Sequence, residues 1–337
     1  MSSLSKQSRK VEKGELTLVL NAAEGRLQLV IGRLAGQGSR RDLQAPGGLK
    51  LCGEAGGELE ILAAQDWMAV SQGAELLTPA LQQALGNLRL APEHIGRIAV
   101  VNGPGSFTGL RLACVSAAAL ARGCRALQAP LEYLPLLASG IWEAGLANFL
   151  PQEEGSPLTA WVITYARRGL VYLQGFSLAA GPGFPAPPAA PGTPGLAGES
   201  PLPGQAAKQP GSAALPVKIS DLQVLEPEAA ADFLRLQHEK IHGLHLLLGS
   251  GLTKNRELLE NSPAAACPRL RFLPASFDLP TPAMLLRQAH GLEYSEADVA
   301  PLYVRTSDAE ENLPQIAAKL GLDPEYALRR LEDLLRE

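Results

Sequence analysis

The first part of the chain alternates short apolar runs with polar or glycine-rich links. Residues 16–20 are an apolar run that predicts a buried strand, and residues 26–31 predict a second strand after a short turn. Two strands joined by so short a link pair antiparallel. Residues 32–57 are rich in glycine and show little periodicity, so we expect a loop there, followed by one further strand near residues 58–63.

Helical periodicity begins at about residue 74. Apolar residues recur at helical spacing over residues 74–88 and form one stripe, namely Leu77, Leu81, Ala84, Leu85 and Leu88. Pro79 is expected in the first turn of this helix or at a kink. An apolar strand at residues 98–101 follows, and then a glycine-rich turn and a helix at residues 112–122 in which small residues predominate. Such a helix allows close approach of a neighbour, either within its own domain or in another subunit.

A similar order of elements recurs further along the chain. Residues 127–130 predict a strand, residues 131–146 a helix, and residues 158–164 and 170–176 a hairpin. Helices are expected at residues 226–240, 255–261 and 281–290, and a strand at residues 244–248. The repeated series predicts an α/β protein with two lobes and mixed sheets. We place a flexible tail at residues 1–14, the first lobe at residues 15–126 and the second lobe at residues 127–306.

Two segments differ from this regular pattern. Residues 179–216 consist mainly of glycine, proline and alanine, with little to bury, which predicts a disordered insertion in the second lobe. Residues 307–337 predict a helical extension of two helices. Asp323 is expected to cap the second of these helices, with Pro324 at its first position.

The glycine-rich turn after the strand at residues 98–101 is the strongest candidate for a binding loop. Gly103, Gly105 and Gly109 give it backbone freedom, and Ser106 or Thr108 can cap the helix that follows. Free amides at a helix start often bind phosphate, but the same residues also make a tight strand-to-helix turn. Both interpretations remain open at this point.

Charge and cysteine content narrow the classes of function. A net charge of −4 gives no general attraction to nucleic acid. The four cysteines form no CxxC pair and match no zinc or disulfide framework, which favours a reducing cytoplasm. The polar residues 1–14 are not followed by the apolar segment of a secretory signal, and no apolar run is long enough to cross a membrane.

The sequence Gly-Pro-Gly-Ser-Phe-Thr-Gly-Leu-Arg at residues 103–111 closely resembles the signature of the TsaB (YeaZ) family. Members of this family are subunits of the bacterial machinery that makes N6-threonylcarbamoyladenosine (t6A) in tRNA. Further similar pieces occur in the family's order at residues 75–79, 166–172, 247–251 and 300–305. The resemblance extends from about residue 16 to about residue 305, interrupted by the insertion.

The resemblance implies a fold and a set of partners. The fold is the two-lobed actin/Hsp70/sugar-kinase (RNase H-like) type, with a five-stranded mixed sheet in each lobe. TsaB proteins are non-catalytic and bind and activate TsaD, the subunit that holds the metal and transfers the threonylcarbamoyl group. TsaE, an ATPase, joins them, and TsaB alone forms homodimers through the same surface. The resemblance therefore implies no cofactor or metal in this chain, and contact with tRNA only through the complex.

The family binds TsaD through helices of the first lobe, which points to the two helices on either side of the strand at residues 98–101. On this basis the interface residues are expected to be Leu77, Leu81, Leu110, Arg111, Ala113, Cys114 and Ala117.

Three positions depart from the family pattern. Asn21 lies where the family commonly has Asp, Tyr165 lies where the hairpin usually begins with Asp, and Gly73 lies where a His commonly precedes the first helix. The lack of these polar groups argues against catalysis by this chain and against a nucleotide site within its own cleft.

The sequence leaves other functions open. A stand-alone nucleotide-binding enzyme of the same fold is the main alternative. His238, Glu239 and His242 match the HExxH pattern of zinc hydrolases, in which two histidines on one helical face bind the metal. However, Gly243 ends the helical pattern just after His242, which favours a solvated helix end. A helix-turn-helix in the tail is disfavoured because residues 313–337 hold more acidic than basic residues.

Overall fold

The computed structural model describes residues 14–35, 49–52, 58–68, 73–146, 158–178 and 216–304, together with 317–319, 321, 323, 325–326 and 329–330. All of the predicted insertion except residue 216, and residues 1–13 of the predicted tail, lie outside these residues. Their disorder therefore stays a prediction. The chain divides into two compact units, residues 1–301 and 302–337.

The first sheet has six strands in the order β3-β4-β2-β1-β5-β6. Its strands are β1 (Leu16–Asn21), β2 (Leu27–Ala35), β3 (Leu49–Cys52), β4 (Glu58–Trp67), β5 (Ile95–Gly103) and β6 (Leu127–Glu132). β1 pairs antiparallel with β2 and parallel with β5. β6 continues the sheet by pairing parallel with β5. The sequence-based boundary after residue 126 therefore falls one strand too early.

Three helices accompany this sheet in the chain: α1 (Gly73–Leu88), α2 (Phe107–Cys124) and α3 (Tyr133–Glu143). The apolar stripe of α1 and the small residues of α2 form one buried cluster with β1 and β5. Because α1 begins at Gly73, Pro79 lies in its second turn rather than its first. The helix predicted at residues 131–146 begins two residues later than expected, since Leu131 and Glu132 complete β6.

The second sheet has the strand order β10-β8-β7-β11-β12, and β9 also pairs with β8. Its strands β8-β7-β11-β12 repeat the order of β2-β1-β5-β6 in the first sheet. The strands are β7 (Thr159–Arg167), β8 (Leu170–Ser177), β9 (Val217–Lys218), β10 (Gln223–Leu225), β11 (His245–Leu248) and β12 (Leu270–Phe272). The helices are α4 (Pro227–Lys240), α5 (Ser250–Lys254), α6 (Arg256–Glu260) and α7 (Pro282–His290). Two mixed sheets with one shared order confirm the predicted two-lobed α/β fold.

A continuous core joins the two sheets. It includes Val19 and Val101 of the first sheet, Val162 and Leu248 of the second, and Leu285 of α7. At Gly32 on β2 a Cβ atom would lie 2.2 Å from the side chain of Leu286, so α7 packs directly on the first sheet. The two lobes therefore share apolar contacts on one side, and the turns at the ends of their central strands meet nearby.

The C-terminal unit shows helical turns at residues 317–319 and 325–326. The carboxylate of Asp323 accepts a hydrogen bond from the backbone N of Glu325 at 2.9 Å, which confirms the expected cap. Pro324 lies outside the described residues.

Candidate functional site

The glycine loop forms the link between β5 and α2. Gly103 ends β5 with a φ of +128°, a conformation that favours glycine. The backbone N of Ser106 donates to the carbonyl oxygen of Ala23 at 2.6 Å, and its hydroxyl accepts from the backbone N of Gly109 at 3.3 Å. Of the two cap candidates in the sequence, Ser106 caps α2, and Thr108 is exposed.

Two glycines of the loop are explained by close packing. A Cβ atom at Gly105 would lie 2.4 Å from the carbonyl oxygen of Ala23, and one at Gly109 would lie 2.0 Å from that of Ala22. Both neighbours are backbone atoms of the turn between β1 and β2. The loop thus brings the start of α2 against this turn and fixes its position.

Asn21 shapes the same turn from inside the first lobe. It is 2% exposed, its side-chain oxygen accepts from the backbone N of Ala23 at 3.0 Å, and its amide donates to the side chain of Gln28 at 2.7 Å. The position that commonly holds Asp in the family therefore has a structural role in this chain. Through its bond to the backbone of Ala23, Asn21 stabilises the turn that contains Glu24.

Glu24 is the polar residue that connects the two lobes. Its Oε1 accepts from the hydroxyl of Ser250 at 2.6 Å and from the backbone N of Tyr165 at 3.1 Å. Its Oε2 accepts from the hydroxyl of Tyr133 at 3.2 Å. Ser250 begins α5 and Tyr165 lies near the end of β7. A side chain of the first lobe is thus bound by donors of the second.

The environment of Glu24 is electrostatically unusual. Burial raises the pKa of Glu24 to about 7, although its hydrogen bonds and the charge of Lys254 act in the opposite direction. Burial and the nearby Glu24 carboxylate raise the pKa of Tyr133 well above its usual value, so this hydroxyl remains a donor. The Nζ of Lys254 lies 3.5 Å from the centre of the Tyr165 ring and so adds positive charge beside the carboxylate.

Glu24 is not predicted as a functional residue by the sequence. The family resemblance points instead to positions 21 and 165, where this chain has Asn and Tyr in place of Asp. The carboxylate comes instead from the turn residue three positions after Asn21. Nothing in the local sequence pattern separates this glutamate from a solvated turn residue, because its three donors are distant in sequence.

We predict a pH-dependent stability that depends on Glu24. Its pKa is 4.5 in the unfolded chain and about 7 in the folded one, so the unfolded state releases its proton first. The contribution of Glu24 to the free energy of unfolding is largest below pH 4.5, falls as pH rises and levels off above pH 7. The total loss is about 3 kcal/mol, at ~1.4 kcal/mol per pKa unit. Glu24→Gln removes this component.

The measurement is urea unfolding of both proteins across this pH range. The free energy of the native protein minus that of Glu24→Gln is expected to fall with rising pH. A difference that stays constant would contradict the assignment. The native protein and Glu24→Gln share the other charged or titratable side chains around position 24, namely Tyr133, Tyr165, Lys254, Asp278 and Arg26.

The structure places the expected interface residues in two environments. Six are buried in the first lobe and at most 5% exposed, namely Leu77, Leu81, Leu110, Ala113, Cys114 and Ala117. Arg111 is exposed on α2. The helical stripes found in the sequence are therefore the core-facing sides of α1 and α2. Only residues on the outer sides of α1 and α2 are therefore placed to contact a partner directly.

The outer side of α2 is apolar over much of its length. Val115 is 62% exposed and Phe107 is 38% exposed, and Leu112 lies partly exposed between them. We use the term docking face for the outward residues Phe107, Thr108, Arg111, Leu112, Val115 and Ala119. Gly73, the third departure from the family pattern, begins α1, and a Cβ atom there would lie 2.7 Å from the Leu112 side chain.

The structure contradicts the zinc alternative. α4 ends at Lys240, so His242 lies beyond the helix that would have to hold both histidines. The guanidinium of Arg269 lies between the two imidazoles, at 3.4 Å from Nε2 of His238 and 3.4 Å from Nδ1 of His242. The positive charge of Arg269 at this position disfavours binding of a metal ion by the two histidines. Glu239 pairs with Arg235 at 2.7 Å.

The part of the chain that the structure describes contains no group of three or more His, Cys, Asp or Glu residues arranged to hold a metal ion. None of its helices is both long enough and apolar enough to span a membrane.

Comparisons with known proteins agree with this architecture. The family model described as TsaD, tRNA N6-adenosine threonylcarbamoyltransferase, matches residues 68–178. No curated protein matches the chain. Among solved structures, YeaZ from Pseudomonas aeruginosa is 17% identical, with 86% of this chain and 100% of that chain covered and a TM-score of 0.50. An uncharacterized protein with similarity to peptidase YEAZ from Pseudomonas aeruginosa is 19% identical with the same coverage and a TM-score of 0.49.

The strand order of the two sheets defines a two-lobed α/β protein with the actin/Hsp70/sugar-kinase type of fold, which the chain shares with YeaZ. The matched residues 68–178 include α1, the glycine loop, α2 and the β7–β8 hairpin. Residues 103–111, which resemble the TsaB (YeaZ) signature, lie within this matched range, and the chain shares the fold of YeaZ.

Proposed function

We propose that this chain is a non-catalytic, TsaB-like subunit that binds and activates a TsaD-like enzyme in the formation of t6A in tRNA. The main support is the docking face, an exposed apolar strip on the helix that the family signature begins. The family-model match over the same helix supports the same pathway. A TsaE-like ATPase as third component, and a homodimer in the absence of TsaD, belong to this proposal.

The chemistry of the docking face suits a helix of a partner. Ala119 and Thr108 are small, so a partner helix can approach the α2 backbone closely, while Val115 and Phe107 supply apolar area. Arg111, whose guanidinium lies 5.9 Å from the centre of the Phe107 ring, gives one charged group at the edge. Burial of such a strip favours association mainly through the hydrophobic effect.

The cleft supports a role without chemistry. Glu24, a partly buried carboxylate, accepts three hydrogen bonds from this chain's own groups. A general base must instead be within reach of a substrate proton. The contribution of the chain is therefore a coupling free energy: it favours the competent conformation of the catalytic partner. The net charge of −4 fits a subunit that contacts tRNA only through the complex.

The proposal is tested by replacement in a cell. A strain that lacks its own TsaB is given this chain together with the TsaD-like subunit of the same source, and its tRNA is analysed for t6A. We expect the modified nucleoside to return only when both proteins are present. A return with the TsaD-like subunit alone would contradict an activating role.

A further inference from the structure

The donors around the Glu24 carboxylate come from elements outside its own turn. The Tyr165 backbone N belongs to β7, the Ser250 hydroxyl to α5 and the Tyr133 hydroxyl to α3. Tyr165 N also donates to the Ser250 oxygen at 3.0 Å, so two of the three donors are bonded to each other. The Tyr165 amide and the Ser250 hydroxyl are therefore held together by a bond that does not involve Glu24.

Two glycines fix the Tyr165 and Ser250 donors in the second lobe. Gly249 has a φ of +110°, and a Cβ atom there would lie 2.5 Å from the carbonyl oxygen of Ile163. A Cβ atom at Gly251 would lie 2.8 Å from the backbone of Thr164. The turn that holds Ser250 is thus packed against the end of β7 that holds Tyr165. Donors held in this way need little rearrangement to bind an anion.

The chemistry of the set is that of a carboxylate site. Two hydroxyls and one amide point at the two oxygens of one carboxylate, with the Lys254 ammonium nearby on the Tyr165 ring. The hydroxyl of Ser250 donates to Oε1 of Glu24 at 2.6 Å, which is a short hydrogen bond. The carboxylate reaches the Tyr165 and Ser250 donors from the opposite lobe.

We propose that the Tyr165 amide, the Ser250 hydroxyl and the Tyr133 hydroxyl form a carboxylate-binding site, and that Glu24 is its built-in ligand. Its occupancy holds the β1–β2 turn against the second lobe and keeps the cleft closed. When the Glu24 side chain is removed, the site accepts a free small carboxylate such as acetate. This inference does not depend on any partner of the chain.

The test is rescue of Glu24→Ala by acetate. The thermal midpoint of this variant is measured in increasing sodium acetate, with sodium chloride of equal ionic strength as reference. We expect a saturable rise of several degrees with acetate, because a ligand that binds only the folded state stabilises it. The native protein should show no such rise. Equal responses of the two proteins to acetate would overturn the proposal.

Two further variants make the test specific. Ser250→Ala in the Glu24→Ala background removes a donor, so the acetate response should be lost, and its retention would overturn the assignment of this donor. If Glu24→Ala does not fold, Glu24→Gln and Ser250→Ala are compared singly and together. We then expect the double variant to lose less in thermal midpoint than the sum of the single losses, whereas additive losses would contradict a direct interaction.

Discussion

Gly109→Ala is expected to destabilise the protein by about 3 kcal/mol, at the upper end of the cost of overpacking. The added methyl group would lie 2.0 Å from the carbonyl oxygen of Ala22, which belongs to the β1–β2 turn. A backbone atom cannot move aside as a flexible side chain does. Either the first turn of α2 or the β1–β2 turn must therefore shift, and Glu24 shifts with the latter.

The same helix offers a matched control. A Cβ atom at Gly123, in the last turn of α2, would meet no atom within 4 Å. Gly123→Ala should therefore be neutral or stabilise the protein by up to about 1 kcal/mol, through helix propensity. Urea unfolding of both variants measures the contrast. Similar effects of the two substitutions would show that the signature glycine has no special packing role.

Val115→Arg is expected to weaken binding of the TsaD-like subunit at least about tenfold, equivalent to about 1.4 kcal/mol. Val115 is the most exposed large apolar residue of α2, so burial against a partner would place the new charge in an apolar contact without a counter-ion. Its side chain has little role in the core, so the stability of the isolated chain should change little.

The control for this substitution introduces the same charge elsewhere. Leu236 is 42% exposed on α4 of the second lobe, away from the docking face. Leu236→Arg should leave binding unchanged. Binding is measured by titration of the purified partner with each variant. An unchanged affinity for Val115→Arg would show that the partner binds another surface.

The repeated order of strands was predictable because it depends on local patterns. The apolar runs of β1 and β5, and the hairpin of β7 and β8, are long enough to show the period of a strand. β12 has three residues and was missed, since so short a run shows no periodicity. β3 lies in the glycine-rich stretch predicted to be a loop.

The candidate site was predictable only in part. The cap at Ser106 follows from local sequence, and the structure confirms it. The bonds of Glu24 join residues that are far apart in the chain, which no local pattern reveals. Helical periodicity found the stripe of α2 that includes Ala113 and Ala117, but periodicity identifies the side that faces the core. The outward Val115 is the better guide to a partner.

The central claim is that the docking face activates a catalytic partner, and nucleoside analysis of tRNA tests it most directly. A strain lacking TsaB receives the TsaD-like subunit with the native chain, Val115→Arg or Leu236→Arg. We expect t6A to return with the native chain and with Leu236→Arg, and to be strongly reduced with Val115→Arg. Full t6A with Val115→Arg, or none with the native chain, would contradict the account.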